Sequence, residues 1–160
     1  MELVSLIRFG PMARIDDELQ SRFDSEQQKL LLNIWFTSNW FRSRQVALFK
    51  PFGLSPQQYN ILRILRGARK RMSMHQVKSR MIDRAPNATR LTDKLIAKGL
   101  VERERCDEDR RVVYVRISQK GLDLLARIDD VNKMDMQELT ARIEAKQARA
   151  MSDILDRMRG

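Results

Sequence analysis

The chain is poor in the residues that cross-link a fold or form a catalytic site. Its 160 residues include one cysteine, one histidine, four prolines and six glycines. The lone Cys106 cannot form a disulfide within the chain, which is typical of a protein of the reducing cytoplasm. One histidine and one cysteine supply neither a metal cluster nor a nucleophile–base pair, and no glycine-rich loop is present to hold phosphates. We therefore expect a protein that is not an enzyme and holds no metal or cofactor.

Long apolar runs are missing as well. No window approaches the ~18 apolar residues of a membrane span. The early stretch LVSLIRF is too short for a secretory signal and is interrupted by Arg8. With 32% charged and 42% hydrophobic residues, and so little proline and glycine, the composition favours helices around one core.

Positive charge is concentrated in one part of the chain. The formal net charge is +10, and residues 61–116 carry a net +9 of it, from 16 lysines and arginines against 7 acidic residues. A basic excess of this size indicates a polyanionic partner, although a solvated basic surface is the simpler alternative. The charge falls on a predicted helix and hairpin rather than on an amphipathic anchor, so we expect DNA rather than a membrane.

Three capping boxes predict the starts of helices. SEQQ at 25–28, SPQQ at 55–58 and SMHQ at 73–76 each combine a serine that accepts a hydrogen bond from an orphan amide with a glutamine that reaches back. The first helix is long and apolar over so wide an arc that we expect it to be largely buried. Its apolar side is formed by Leu31, Ile34, Trp35, Ser38 and Phe41.

The helix that Pro86 opens and Gly99 closes has two unlike sides. Its core side consists of Ala88, Leu91 and Leu95. Its polar side consists of Asn87, Thr89, Arg90, Asp93, Lys94 and Lys98. Two strands follow, at 100–106 and 112–117, with DEDRR between them as the tip of a hairpin. A short helix, a helix with a polar outer side and a hairpin, in this order, are typical of a winged helix-turn-helix.

From Ser118 to the end we predict helix, with a break near residues 140–144. An apolar stripe continues at helical spacings and predicts a surface for a second copy of the chain, or packing back on the long first helix. The residues that we assign to dimerisation are Leu139, Ile143, Ile154 and Met158.

These patterns predict a mainly α fold with a small β-hairpin wing. We divide the one compact chain into three parts. Residues 1–52 form an N-terminal arm and long dimerisation helix, residues 53–117 a winged helix-turn-helix, and residues 118–160 the C-terminal dimerisation helices.

The segment NATRLTDKLIAKGLVERERCDEDRRVVYVRISQKG, residues 87–121, resembles the signature of the MarR (multiple antibiotic resistance regulator) family. The matching features are Arg90, Leu95, Gly99 with its following Leu-Val, the Asp-Arg-Arg of the hairpin, and Gly121. The resemblance extends over residues ~25–160. Ser118 departs from the family, which usually has threonine there, but serine can cap the following helix equally well.

The resemblance implies a DNA-binding role for the polar helix. This helix would enter the major groove of double-stranded DNA and meet bases or phosphates. The residues with this implied role are Asn87, Thr89, Arg90 and Lys94. The short helix before it would contact phosphate through Ser73, His75 and Gln76, although an exposed polar His75 is the simpler alternative.

The hairpin tip would act in the minor groove. Arg111 would insert there, Asp109 would hold its guanidinium, and Arg110 would touch the backbone. A solvated tip with self-neutralising charges is the alternative.

The resemblance also implies a homodimeric regulator, a repressor that a small aromatic or phenolic effector releases from a pseudo-palindromic operator. Its effector pocket would include Trp35, Phe36, Trp40 and Phe41, for which core or dimer packing is the alternative. Two other functions stay open at this stage. One is a non-specific architectural nucleic-acid-binding protein, and the other is a redox-sensing regulator that acts through Cys106, whose thiol is otherwise inert.

Overall fold

The computed structural model describes residues 14–20, 22–83, 87–105 and 113–160. The N-terminal part contains helices α1 (Ile15–Leu19) and α2 (Glu26–Phe49), followed by a 3-10 turn at Lys50–Phe52. Helix α3 (Pro56–Ala68), strand β1 (Met72–Ser73) and helices α4 (Met74–Arg80) and α5 (Ala88–Ala97) come next. Strands β2 (Val101–Arg105) and β3 (Val113–Ile117) precede helices α6 (Gln119–Thr140) and α7 (Ala145–Arg159). The predicted class, mainly helical with a small wing, is confirmed.

Local capping chemistry explains where most of these helices begin. Complete capping boxes start α3 and α4, as the sequence predicts. At α2 the box is only half formed: the Ser25 hydroxyl accepts from the Gln28 amide at 3.1 Å, but Gln28 Oε1 accepts from the Asp24 amide instead. A glutamine side chain is long enough to reach either amide, so the prediction of a full box was wrong by one residue.

The three strands form one antiparallel sheet in the order β1-β3-β2. In the hairpin, Val101 pairs with Ile117 and Arg105 with Val113. Strand β1 pairs with β3 through Met72 opposite Val115. Sequence reasoning missed β1 because two residues are too few to show an alternating pattern.

The chain comprises two compact units, residues 1–125 and 126–160. The first holds the core, in which side chains from the helices and the sheet are almost completely buried. Leading members are Ile61, Leu62, Leu65, Val77, Leu95, Val115 and Leu125. Burial of each side chain of this size contributes roughly 1.5–3 kcal/mol. Phe49 stacks on Tyr59 with ring centroids 4.1 Å apart, which attaches the end of α2 to α3.

Helix α2 is less buried than expected. Leu31 is 56% and Trp35 is 67% exposed, and burial is confined to its last turns at Arg44, Leu48 and Phe49. Its apolar side chains are spread around the helix, so a single packed layer cannot cover them all. The Lys29 ammonium binds Asp16 of α1 at 2.7 Å and lowers the pKa of that carboxyl group.

The second unit contains the distal part of α6 and all of α7. The helix is interrupted between Thr140 and Ala145, as the sequence predicts. Glu144 and Gln147 form a capping box at the start of α7. Large apolar side chains are exposed on this unit, namely Met134, Met136, Ile143, Met151, Ile154 and Met158. Within the described ranges, no helix combines the length and hydropathy that a membrane crossing requires.

Two helical glycines differ sharply in the space around them. A Cβ at Gly121 would overlap the Leu100 carbonyl oxygen and lie 2.8 Å from Cγ1 of Ile117, whereas a Cβ at Gly67 would meet nothing within 4 Å. We expect Gly121→Ala to lower the free energy of unfolding by about 1–3 kcal/mol through overpacking. Gly67→Ala should raise it by about 0.5–1 kcal/mol through helix propensity. Urea denaturation of both variants tests this contrast, and equal stabilities would contradict the close contact at Gly121.

Candidate nucleic-acid interface

Helix α5 presents one buried and one exposed side. Ala88 and Leu95 are completely buried, and Thr92 is buried with its hydroxyl donating to the Ala88 carbonyl at 2.9 Å. The opposite side is exposed and polar, and its members are Asn87, Thr89, Arg90, Asp93, Lys94 and Lys98. The described helix begins at Ala88. Pro86, at which the sequence predicts its start, lies outside the described residues. The predicted contact residues therefore share one solvent-facing surface, while their contacts with DNA remain a prediction.

The end of α5 is held by a compact junction. Gly99 has a left-handed backbone, φ 70°, which favours glycine and ends the helix. The Ser118 hydroxyl donates to the Gly99 carbonyl at 2.7 Å and accepts from the Gly121 amide at 3.1 Å. The Ser118 amide donates to the Leu100 carbonyl at 3.1 Å. One serine thus caps α6 and attaches its start to the end of α5.

Helix α5 is also attached to the wing. Arg103 on β2 forms a short ion pair with Asp93 on the exposed side of α5. Both side chains are about half exposed, so this pair contributes about 0–1 kcal/mol to stability, yet it fixes the strand relative to the helix. Sequence reasoning placed Asp93 correctly on the outer side but did not identify its partner, because no local spacing relates a helix to a later strand.

The start of α4 contains the three other predicted contact residues. Ser73 and Gln76 are engaged in the capping box: the Ser73 hydroxyl accepts from the Gln76 amide at 3.3 Å, and Gln76 Oε1 accepts from the Ser73 amide at 2.9 Å. His75 is exposed beside them. The cap orients the first turn of α4, and a role for these residues in phosphate binding remains a prediction.

The predicted residues of the hairpin tip, Asp109, Arg110 and Arg111, lie outside the described residues, as does Cys106. The strands that carry the tip are described. On their outer face the Arg116 Nε donates to Glu102 at 2.7 Å, and Arg71 Nη1 donates to Glu104 at 2.8 Å. The first of these ion pairs joins β3 to β2, and the second joins the loop before β1 to β2.

The turn that leads towards α5 is held by long-range contacts that the sequence did not predict. The Asp83 carboxylate accepts from Gln57 Nε2 at 2.8 Å and from Arg42 Nη2 at 3.1 Å. Next to it, the Ile82 amide donates to Asn60 Oδ1 at 3.2 Å. These bonds connect the turn to both α2 and α3. Because the partners are 22 to 41 positions apart, only the fold reveals them.

The four aromatic residues predicted for an effector pocket lie together on α2. Trp35 is exposed, whereas Phe36, Trp40 and Phe41 are half-buried. The Arg44 guanidinium lies 5.8 Å from the centre of the Trp40 ring. Arg42, which binds Asp83, follows directly after Phe41, so this aromatic segment is linked to the turn before α5.

Comparisons with known proteins identify this arrangement. The model of the MarR family matches residues 54–113, from before α3 to the start of β3. A solved MarR transcription factor from Planctomyces limnophilus is 34% identical, with a TM-score of 0.66 over 84% of this chain and 98% of that one. The chain belongs to the MarR family. The helix–turn–helix, the wing and the flanking helices occur in the same order as in the solved MarR structure.

Two further similarities agree with MarR membership. The uncharacterised HTH-type transcriptional regulator YdgJ of Bacillus subtilis is 31% identical over 107 residues, which are 67% of this chain and 65% of that protein. The matched part therefore spans slightly less than two thirds of this curated relative. A mutant MarR from E. coli complexed with operator DNA shares the fold at 21% identity, with a TM-score of 0.69 over 91% of this chain and 99% of that one.

The contacts of Asp83 predict a local effect. Asp83→Ala removes two acceptor bonds from the turn, so we expect the Ile82 amide to exchange with solvent several-fold faster. The free energy of unfolding should fall by only about 1 kcal/mol or less, because the ion pair with Arg42 is largely exposed. Hydrogen exchange measured by NMR tests this.

Asp156→Ala is the matched control for that experiment, because it removes an exposed ion pair with Arg159 in the second unit. It should leave the exchange of Ile82 unchanged. Unchanged exchange in Asp83→Ala as well would show that the turn does not depend on the carboxylate.

Proposed function

We propose that this MarR-family chain is a homodimeric transcriptional regulator, a repressor that binds a pseudo-palindromic operator. The observation that carries the proposal is the exposed polar side of α5, which lies opposite a fully buried apolar side. This helix belongs to the segment 61–116, which carries +9 of the +10 net charge. A rigid helix with a cationic outer side suits the major groove, whose width admits an α-helix.

Within this proposal the exposed residues of α5 have different tasks. Arg90 has a fork of donors that reads guanine or grips a phosphate, and Lys94 provides a point charge for the backbone. Asn87 and Thr89 stand at the start of the helix, where base edges are usually contacted. His75 and the capped start of α4 lie beside a neighbouring phosphate.

The wing completes the proposed interface. Arg111 enters the minor groove, Asp109 orients it and Arg110 touches the backbone. The described strands support this role, since the ion pair between Arg116 and Glu102 joins β3 to β2, and the bond between Arg103 and Asp93 links β2 to α5.

A dimer gives this interface its two-fold symmetry. The second unit exposes Ile143, Ile154 and Met158, and Leu139 is half-buried on the same unit. Burial of these side chains against a second copy supplies the hydrophobic driving force for association. In this proposal residues 1–52 and 118–160 form the dimer and residues 53–117 bind DNA.

Release by a small aromatic or phenolic effector is the regulatory part of the proposal. The aromatic side chains of α2 are only partly buried, and the same helix carries Arg42, which binds the turn before α5. An effector that binds at Trp35, Phe36, Trp40 and Phe41 would favour one position of α2 and shift the population of α5 orientations.

A non-specific architectural protein is the second candidate, and the clustering of positive charge favours it. A salt series separates the two. The purified protein is titrated with a labelled fragment from upstream of its own gene and with random DNA of equal length. A regulator prefers the upstream fragment by about 10³-fold or more. Equal affinities with a steep salt dependence would favour the architectural candidate.

Arg90→Ala tests the role of α5. We expect the affinity for the upstream fragment to fall by about 1–3 kcal/mol, because α5 loses its one arginine. Fluorescence anisotropy measures the loss. Arg149→Ala, which removes an exposed arginine from α7, should bind as the unchanged protein does. Identical affinities for the two variants would exclude Arg90 from the interface.

Ile154→Glu tests the dimer surface. A charge buried at an apolar interface is strongly unfavourable, so this variant should be monomeric at micromolar concentration by light scattering. Ser152→Glu is the control, because residue 152 lies on the opposite side of α7 and should leave the dimer intact. A monodisperse dimer of Ile154→Glu would place the interface elsewhere.

A further inference from the structure

The first unit contains a cleft that the proposed DNA interface does not use. Its volume is about 390 Å³, and it is formed by the end of α3, the loop before β1, strands β2 and β3, and the first turn of α6. Its lining residues belong to none of α2, α4 or α5. The cleft is therefore separate from the aromatic segment of α2 and from the polar side of α5.

The register of the sheet places the cleft at the base of the wing. Met72 pairs with Val115 and Ser73 with Tyr114, so the loop before Met72 runs beside the end of β3 at Ile117. This end of the hairpin is opposite to the tip.

Cations dominate the rim of the cleft. They are Arg66, Arg69, Lys70, Arg71 and Arg116, against a single acidic residue, Glu104. Two of them are fixed in place. Arg71 binds Glu104 at 2.8 Å and stacks on Tyr114 with its guanidinium 4.7 Å from the ring centre, and Arg116 binds Glu102 at 2.7 Å. These carboxylates balance the charges of Arg71 and Arg116, but each guanidinium has further N–H donors that are held at the rim in a fixed position.

Arg69 provides a separate argument for function. It follows α3 with φ 53° and ψ 16°, a left-handed conformation in which helix ends usually place glycine or asparagine. A charged residue thus occupies a strained backbone position at the rim of the cleft, and we infer that its charge serves the cleft. Gln20 is the other described non-glycine residue with positive φ, at 47°, and it does not line the cleft.

The floor of the cleft is apolar. Leu65 is 1% exposed, and Ile117 and Leu122 are half-buried beside it. A cationic rim over an apolar floor, in a volume within the usual range of about 300–1,000 Å³, is complementary to a ligand with both properties. We propose that this cleft binds a small organic monocarboxylate with an apolar body. The ion pairs of Arg71 and Arg116 already balance part of the positive charge of the rim, so the remaining charge suits a single carboxylate.

An NMR titration of the full chain without DNA tests this inference, so the result does not depend on the proposed regulatory function. The probe is octanoate, and 1-octanol and inorganic phosphate isolate its apolar and anionic parts. We expect octanoate to shift the methyl signals of Leu65, Ile117 and Leu122 in a saturable manner. The other two probes should leave these signals unchanged at equal concentration. Equal shifts from 1-octanol, equal shifts from phosphate, or no saturable shift from octanoate would each overturn the proposal.

A pair of variants separates charge from backbone strain. Arg69→Gly and Gln20→Gly each place glycine at a position with a left-handed backbone, which glycine adopts without strain. Each variant should therefore unfold at the same temperature as the unchanged protein or at a higher one. Only Arg69→Gly should weaken octanoate binding, by about threefold to fivefold. Equal octanoate affinities for the two variants would show that the Arg69 side chain does not serve the cleft.

Discussion

The bonds of the Ser118 side chain are the constraint on which the position of α5 and its polar side depends. Its hydroxyl donates to the Gly99 carbonyl and accepts from the Gly121 amide, so the end of α5 and the start of α6 meet at one atom. Both glycines are needed there for different reasons. Gly99 adopts a left-handed backbone, and Gly121 leaves room for the carbonyl of Leu100. A small displacement at this junction would change how α5 presents its polar side.

Outward from this junction, α5 is fixed from three directions by different forces. Buried Ala88 and Leu95 attach it to the core, and the Asp93–Arg103 pair attaches it to the wing. The Asp83 carboxylate fixes the turn before it through α2 and α3. Hydrophobic burial contributes most of the stability, whereas the exposed polar bonds contribute little energy but determine orientation. This division suits the proposed role of α5, in which its outer side matches the major groove.

Local patterns predicted the parts of the fold that depend on neighbouring residues. The structure confirms the capping boxes of Ser55 and Ser73 and the helix break near residues 140–144. The predicted buried and exposed sides of α5 are also correct. Long-range contacts escaped prediction, because the partners of Asp83 and Asp93 lie on other elements. The burial of α2 was overestimated, since apolar content alone does not say whether a neighbouring element covers Leu31 and Trp35. Strand β1 was too short for its pattern to be seen.

In the proposed complex, two copies of α5 read two major-groove segments of one operator. A hydroxyl-radical footprint of the protein on the fragment upstream of its own gene measures this directly. We expect two protected patches, symmetric about a central axis and about 34–36 Å apart. A continuous protection that begins at the fragment ends and has no fixed centre would contradict it.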